Sequence, residues 1–419
     1  MNTIKGLALN IEVSYDTFDG MEQTYRDEGI SVGPEKLRIS GNEIELSIGY
    51  SDLIIGHRIG QGACSNVNVA THKVTGQSYA VKMFNVYDHR QAEQLRKEIV
   101  MLTKLNECDA LISLEGVFHH EGSVGVVLEY MDKGSLEYFS RIKMPLSEPL
   151  LASISYQILW GLGYLHFEKK LHRDVKPANV LFNSIGFVKL TDFGISKELE
   201  STDSMSNTAI GTCKYMSPER LLGQRYDSSG DIWAVGIMML ELYNQKYPFE
   251  DSVSSPLELL DALETFDLND YTYGMPEDMQ SLIASMLYRN QSERATANDL
   301  VEYQWFNNCG IVDLQSAHEV MYDWLCQHDE LQESYIAPSK YTNDPNSRRL
   351  QANCKAEFEN NYVDDYADEI QYRGDFTTGS TSDSVDSNVM AISIEKIGNY
   401  NHSSNTYKGE KLVTEKYAK

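Results

Sequence analysis

Leu171-His172-Arg173-Asp174-Val175-Lys176-Pro177-Ala178-Asn179-Val180-Leu181 is the stretch that decides the reading of this chain, and Leu190-Thr191-Asp192-Phe193-Gly194 follows it shortly after an apolar run from Phe187. Asp174 supplies a carboxylate that can orient an attacking hydroxyl and accept its proton. Lys176, two residues on, brings a cation for a transferring phosphoryl group. Asn179 offers an amide oxygen and Asp192 a carboxylate, both hard donors suited to Mg²⁺. Phosphoryl transfer asks little covalent chemistry of a protein and much positioning and charge neutralisation. These residue types in this order suit it.

Working towards the N-terminus, Lys82 ends the apolar run Tyr79-Ala80-Val81. A charge there is costly unless something anionic pairs it. Glu98, on a helical stretch expected over 91–105 with Leu95, Ile99, Leu102 and Leu105 at helical spacing, is the natural partner. Further upstream, Ile59-Gly60-Gln61-Gly62-Ala63-Cys64-Ser65-Asn66-Val67 lies between two expected strands. A glycine-rich hairpin lets backbone N–H groups approach phosphate oxygens without side-chain obstruction. Taken singly, each feature has an ordinary alternative: a structural β-turn, or a surface lysine at a strand end. Their order along one chain is what removes those alternatives.

Composition limits the rest. The 419 residues carry a formal net charge of −26 with 42% apolar residues, enough for a sizeable core. So acidic a chain is a poor candidate for nucleic acid or anionic membranes, which call for clustered Lys and Arg. No apolar run reaches the ~20 residues of a membrane span, and the first ten residues lack a secretory pattern. The six cysteines are scattered, without Cys-x-x-Cys spacing, and read as reduced thiols. A cytoplasmic protein is the expectation, with the nucleus as a second compartment.

Strand-like segments (53–55, 67–70, 79–82, 124–130) dominate from Asp52 to about Tyr130. Helical ones dominate beyond Gly134, notably 151–167 and 232–243. The pattern predicts an α+β chain in two lobes, 52–131 and 132–306. Residues 1–51 read as an extension, partly β, and 307–342 as a C-terminal extension. Residues 343–419, polar and rich in Asn, Asp, Ser, Thr and Gly, read as a disordered tail.

The ordered set Gly60/Gly62, Lys82, Glu98, His172-Arg173-Asp174, Asn179, Asp192-Phe193-Gly194, Ser217-Pro218-Glu219, Asp231 and Arg294 resembles the protein-kinase superfamily. It departs from the usual pattern in Ser65 at the third glycine of the phosphate loop and in Ser217-Pro218-Glu219 where Ala-Pro-Glu is commoner. The resemblance implies the two-lobed kinase fold, ATP and Mg²⁺ as cofactors, and a nucleotide site built from 59–67, Ala80, Lys82, Leu128, Glu129, Met131, Asn179 and Asp192. It implies Asn179 and Asp192 as the metal ligands. It also implies Asp174, Lys176, Lys82 and Glu98 as catalytic residues, with Arg173, Thr212, Glu219, Asp231 and Arg294 as structural supports.

The segment Asp203-Ser204-Met205-Ser206-Asn207-Thr208, closing on Gly211-Thr212 and Ser217-Pro218-Glu219, is most similar to that of a mitogen-activated protein kinase kinase. That likeness implies Ser204 and Thr208 as regulatory phosphosites with Arg173 and Lys197 as cations in reach. It further implies a downstream MAP kinase as substrate, phosphorylated on Thr and Tyr, and an upstream MAP kinase kinase kinase as activator. Residues from Gln304-Trp305-Phe306 to Asp323-Trp324-Leu325-Cys326 resemble the family's docking extension for upstream kinases, and read equally as an amphipathic helix on the second lobe. Lys5 before Leu7-Ala8-Leu9, and Lys36 and Arg38 before Ile44-Glu45-Leu46, resemble its MAP-kinase docking site. A Ser/Thr kinase of a neighbouring branch is the alternative, and a catalytically silent scaffold the third reading, opposed by the retention of Lys82, Asp174, Asn179 and Asp192.

Overall fold

The computed structural model describes residues 25–27, 30–33, 37–39, 42–44, 48–61, 65–85, 89–193, 213–249, 253 and 255–328. Four short strands open it, β1 (Tyr25–Asp27), β2 (Ile30–Val32), β3 (Leu37–Ile39) and β4 (Asn42–Ile44), paired in sequence order as an antiparallel meander. Next come β5 (Leu53–Gln61), β6 (Ser65–His72), β7 (Ser78–Asn85), helix α1 (His89–Leu105), β8 (Leu114–His120) and β9 (Ser123–Glu129). These five strands form one antiparallel sheet in the order β5-β6-β7-β9-β8. The register sets Lys82 opposite Val67 on one side and Val126 on the other, and Ala80 opposite Leu128. On α1 the apolar stripe Leu95, Ile99, Leu102 and Leu105 is buried, so its i, i+4, i+7 spacing did predict the packed face.

The second lobe contains α2 (Glu137–Ile142), α3 (Glu148–Phe167), the hairpin β10 (Val180–Phe182) and β11 (Val188–Leu190), α4 (Pro218–Leu221), α5 (Ser229–Asn244), α6 (Pro256–Glu264), α7 (Glu277–Met286), α8 (Ala297–Val301), α9 (Gln304–Asn308) and α10 (Leu314–Gln327). Fourteen of the twenty residues of α3 and twelve of the sixteen of α5 are buried. Helices apolar on nearly every side belong at the centre of a domain, and these two form the pillar around which the lobe packs. The α+β architecture expected from the strand-rich and helix-rich halves is what the structure shows. Strand β8 was not foreseen: Leu114 to His120 carries a glycine and two histidines, and its near-complete burial comes from packing that a local pattern does not reveal.

Two extensions pack onto the lobes. The Gly33 carbonyl accepts a hydrogen bond from His119 N on β8 at 2.9 Å. Leu37 and Val32 are fully buried, and Tyr50 stacks on His120 with centroids 3.5 Å apart. Of the docking candidate at Lys36 and Arg38 before Ile44-Glu45-Leu46, residues 37–39 and 42–44 lie in β3 and β4, with Leu37 buried, while Lys36 and Glu45 lie outside the described residues. The Lys5 to Leu9 candidate lies outside the described residues, as do Leu46 and all of 343–419. At the other end, α10 buries Ala317, Met321 and Leu325 against α3. The amphipathic-helix reading of that segment thus holds for its inner face, while Tyr322 and Cys326 remain exposed.

Close approach explains one glycine in particular. A Cβ added at Gly116 on β8 would lie 2.2 Å from the Ile48 carbonyl oxygen. Gly116→Ala is therefore expected to destabilise by about 1–3 kcal/mol through overpacking, measured by denaturant unfolding. An unchanged midpoint would show that the segment around Ile48 does not seat against β8.

Candidate active site

Three loops and two strands converge where the lobes meet. Lys82, central in β7, donates from Nζ to Glu98 Oε1 on α1 at 2.8 Å and to Asp192 Oδ1 at 2.7 Å. Burial alone would pull the ammonium down, yet Glu98 and then Asp192 outweigh it and raise Lys82 above the ordinary lysine range. The Asp192 carboxyl is held below its usual range: its desolvation works against ionisation and Lys82 overrides it. Its side chain is 53% exposed, so this is a solvent-screened pairing and not a deeply buried one. Asp192 has φ +55°, a left-handed conformation that few non-glycine residues adopt and that strained functional positions often do.

Asp174 is the centre of a second cluster. Lys176 Nζ donates to Asp174 Oδ2 at 2.8 Å, and Asn179 Nδ2 donates both to the Asp174 carbonyl at 2.8 Å and to Oδ2 at 3.0 Å. With both amide hydrogens spent on Asp174, the Asn179 oxygen is directed elsewhere. Thr191 N donates to the Asn179 carbonyl at 3.0 Å, tying the loop after Asp174 to the segment that carries Asp192.

Beneath this lies a polar anchor. The Asp231 carboxylate, in the first turn of α5, accepts from His172 N at 2.9 Å and from Arg173 N at 2.8 Å, and pairs with His166 Nε2 at 3.0 Å. Burial would raise the Asp231 carboxyl, but His166 and the His172 amide hold it below the usual aspartate range. His172 is fully buried, which pushes its imidazole down against the pull of Asp231 and Asp174. Its Nδ1 faces the Asp174 N–H at 3.3 Å, so the tautomer is assigned with the proton on Nε2, which donates to the Thr191 carbonyl at 3.1 Å. Phe193 packs edge-on to the same ring at 5.6 Å. Arg220 donates to the Arg173 carbonyl, and both arginines pack on the Tyr226 ring.

Glu219 and Arg294 form a bidentate pair at 2.7 and 2.8 Å, with the Arg294 side chain fully enclosed and also stacked on Trp233. At the lobe junction, Leu128 and Met131 are buried, while the Glu129 side chain is occupied elsewhere. It accepts from Lys189 Nζ and from Ser113 N, both at 2.7 Å. Its backbone N–H is also engaged, donating to the Ser113 carbonyl at 3.2 Å. This Glu129–Lys189 tie across the junction was missed in the sequence, although a lysine inside the apolar strand Phe187 to Leu190 was a visible signal for a buried partner. Gly62, Ala63, Cys64, Ser204, Thr208 and Thr212 lie outside the described residues; Ile59, Gly60, Gln61 and Val67 sit on β5 and β6 above the site.

Sequence comparison agrees with this geometry. The protein kinase domain family matches residues 53–306. Mitogen-activated protein kinase kinase 2 of Arabidopsis thaliana is 33% identical over 316 residues, covering 71% of this chain and 86% of that protein. Mitogen-activated protein kinase kinase SIPKK of Nicotiana tabacum is 32% identical over 323 residues, covering 72% and 90%. Dual specificity mitogen-activated protein kinase kinase 1 of Dictyostelium discoideum is 36% identical over 211 residues, covering 49% and 32%.

The Glu219–Arg294 pair gives a pH signature. Desolvation of Glu219 is overridden by Arg294, so its folded pKa lies below the unfolded 4.5. The unfolded chain then binds the proton more readily, and the pair's contribution is present above about pH 4.5 and lost as pH falls through the lower folded value. Glu219→Gln should cost about 3–5 kcal/mol at pH 7 by leaving Arg294 an unpaired buried charge. The gap to wild type should narrow below pH 4.5 in urea titrations, and a constant gap would mean that the pair carries no such linkage.

Proposed function

We propose, for a chain that belongs to the protein kinase family and within it to the mitogen-activated protein kinase kinases, that it moves the γ-phosphoryl group of ATP to Thr and Tyr of a downstream MAP kinase and is itself switched on by phosphorylation. The observation that carries the reading is Lys82 bonded at once to Glu98 and Asp192, with Asp174, Lys176 and Asn179 bonded together opposite. These contacts support the reading of Lys82 as the cation for the phosphates and of Asp174 as the carboxylate that takes the hydroxyl proton.

The role of each residue follows from its contacts. Held by Glu98, Lys82 meets the α- and β-phosphates. The backbone of β5 and β6 around Gly60 and Val67 meets them from the other side, and Ala80, Leu128 and Met131 surround the adenine with the backbone of Glu129. Asp174 orients the substrate hydroxyl and takes its proton as that oxygen bonds to the γ-phosphorus and the bond to the β,γ-bridging oxygen breaks, releasing ADP. Lys176, already on Asp174 Oδ2, neutralises charge on the group in flight.

A divalent ion fits the donor set. Asn179 has both amide hydrogens engaged and its oxygen turned away from Asp174, and Asp192 commits one oxygen to Lys82, leaving hard oxygens from two residues. Mg²⁺ typically takes one or two protein ligands and completes its shell with water and phosphate. Bound there, it would neutralise β- and γ-phosphate charge. Asp174→Asn is expected to lower kcat by at least ~100-fold while ATP affinity stays within a few-fold. Retention of wild-type kcat would remove Asp174 from its role.

Regulation is read from Ser204 and Thr208. A phosphate adds close to two negative charges and three acceptors, and Arg173, adjacent to Asp174, is the cation it would engage. Ser204→Ala with Thr208→Ala should block activation by an upstream kinase and leave ATP binding intact; the double Glu variant should activate only in part. Phosphopeptide mapping after activation checks the pair. Phosphate on Ser201 or Ser206 alone would overturn it.

A further inference from the structure

Helix α3 is apolar throughout its buried face except at three positions, Ser153, Ser155 and Gln157, all essentially inaccessible. The Ser155 hydroxyl turns back to the Leu151 carbonyl of its own helix and has no further consequence. The other two form a chain. Ser153 Oγ donates to the Ala317 carbonyl on α10 at 2.5 Å and accepts from Gln157 Nε2 at 3.3 Å. Gln157 Nε2 also donates to the Gly186 carbonyl at 3.2 Å, and Gln157 Oε1 accepts from Val188 N at 2.9 Å. The amide orientation is fixed by these partners, because the flipped form would face Val188 N–H with a donor and the Gly186 carbonyl with an acceptor.

The hairpin this chain grips is the one whose open end carries the metal-ligand candidates. Asn179 immediately precedes β10, Asp192 follows β11 by two residues, and Val180 pairs with Leu190 between them. At the closed end, Gly186 lies directly under α10: a Cβ there would be 2.5 Å from the His318 carbonyl oxygen and 2.8 Å from Tyr322 N. The His318 ring stacks on Phe187 with centroids 4.1 Å apart and bonds to the Ile185 carbonyl. Apolar packing of α3 on β11 would be satisfied over a range of small slips. The hydrogen-bonded chain is not, since its buried groups find partners at only one height of the hairpin.

We infer that Gln157 and Ser153 are positioning residues that set the hairpin, and with it Asn179 and Asp192, against α10 as reference, so that the C-terminal helix governs divalent-metal affinity at a site it never touches. This rests on the reading of Asn179 and Asp192 as metal ligands. Groups that orient metal ligands typically alter metal affinity or activity by 10–100-fold when lost.

The test uses the full chain with Gln157→Leu, Ser153→Ala and, as control, Ser155→Ala. Three quantities are read: the half-saturating Mg²⁺ concentration for phosphotransfer, the Mg²⁺ dependence of binding of a fluorescent ADP analogue, and hydrogen exchange of the Val188 and Leu190 amides in metal-free protein. Gln157→Leu should raise half-saturating Mg²⁺ roughly tenfold in both titrations, with kcat at saturating metal little changed and faster exchange at Val188 and Leu190. Ser153→Ala should do the same to a smaller degree, and Ser155→Ala should leave the metal titrations where they were. Should Gln157→Leu not fold, Ser153→Ala, which removes one hydroxyl, carries the comparison alone. Lower melting temperatures with wild-type Mg²⁺ dependence would reduce the chain to scaffolding and overturn the inference. Wild-type protein that binds nucleotide and turns over without divalent metal would instead sink the ligand assignment itself.

Discussion

Asp231 is the group on which the site depends. A buried carboxylate is costly unless fully partnered, and this one is met by two consecutive backbone N–H groups, by His166 and by the N-terminal turn of α5, whose dipole favours negative charge. The two amides belong to His172 and Arg173, so the loop leading to Asp174 is held by its backbone to the most buried helix of the lobe. Arg173 sits at φ +68°, a conformation that the paired hydrogen bonds can impose on a residue that would otherwise avoid it. Its side chain packs over the Tyr226 ring while its backbone stays fixed.

From that anchor the site is assembled by short polar links and not by one large core. His172 joins the Asp174 loop to Thr191, Thr191 joins Asn179, Asn179 joins Asp174, and Lys82 reaches across to Asp192 while it also bonds Glu98. Most of these bonds involve backbone groups, whose positions are set by the elements around them. Two charged contacts between the upper and lower lobes differ in character. Lys82 with Asp192 is open to solvent on one side; Lys189 with Glu129 is enclosed. The first can be remade when a nucleotide competes for the same cation, whereas breaking the second strands a buried charge.

Much of this was legible in the residues. The catalytic loop, the Lys82–Glu98 partnership and the apolar stripe of α1 each leave a mark that chemistry or period can read: a carboxylate two residues before a lysine, a charge ending an apolar strand, apolar residues at helical spacing. The Arg294–Glu219 pair and the place of Asp231 came through likeness to a family, because partners 75 and 65 positions apart are invisible to local pattern. What stayed hidden was register and tilt. Nothing local in β8 announces a strand, Glu129 looks like any hinge carboxylate until Lys189 is beside it, and Gln157 in an apolar helix reads as a minor blemish until both ends of its amide are seen engaged. In the docking candidate around Lys36 and Arg38, local pattern could not tell β3 from a free peptide, since a basic residue before alternating apolar ones describes both equally well.

The meander at the start of the chain waits for its partner. Gly33 is made well before His119, and at the ~5–20 residues per second of protein synthesis several seconds separate the emergence of the two sides of that contact. In that interval Leu37 and Val32 have only the meander's own four strands for shelter, and a sheet so small is marginal in water without something to pack on. The N-terminal strands are thus translated well before the β8 edge they pack on, and the Gly33–His119 bond waits for that edge to emerge. The edge of β8 is covered by residues that had to be kept soluble until it existed.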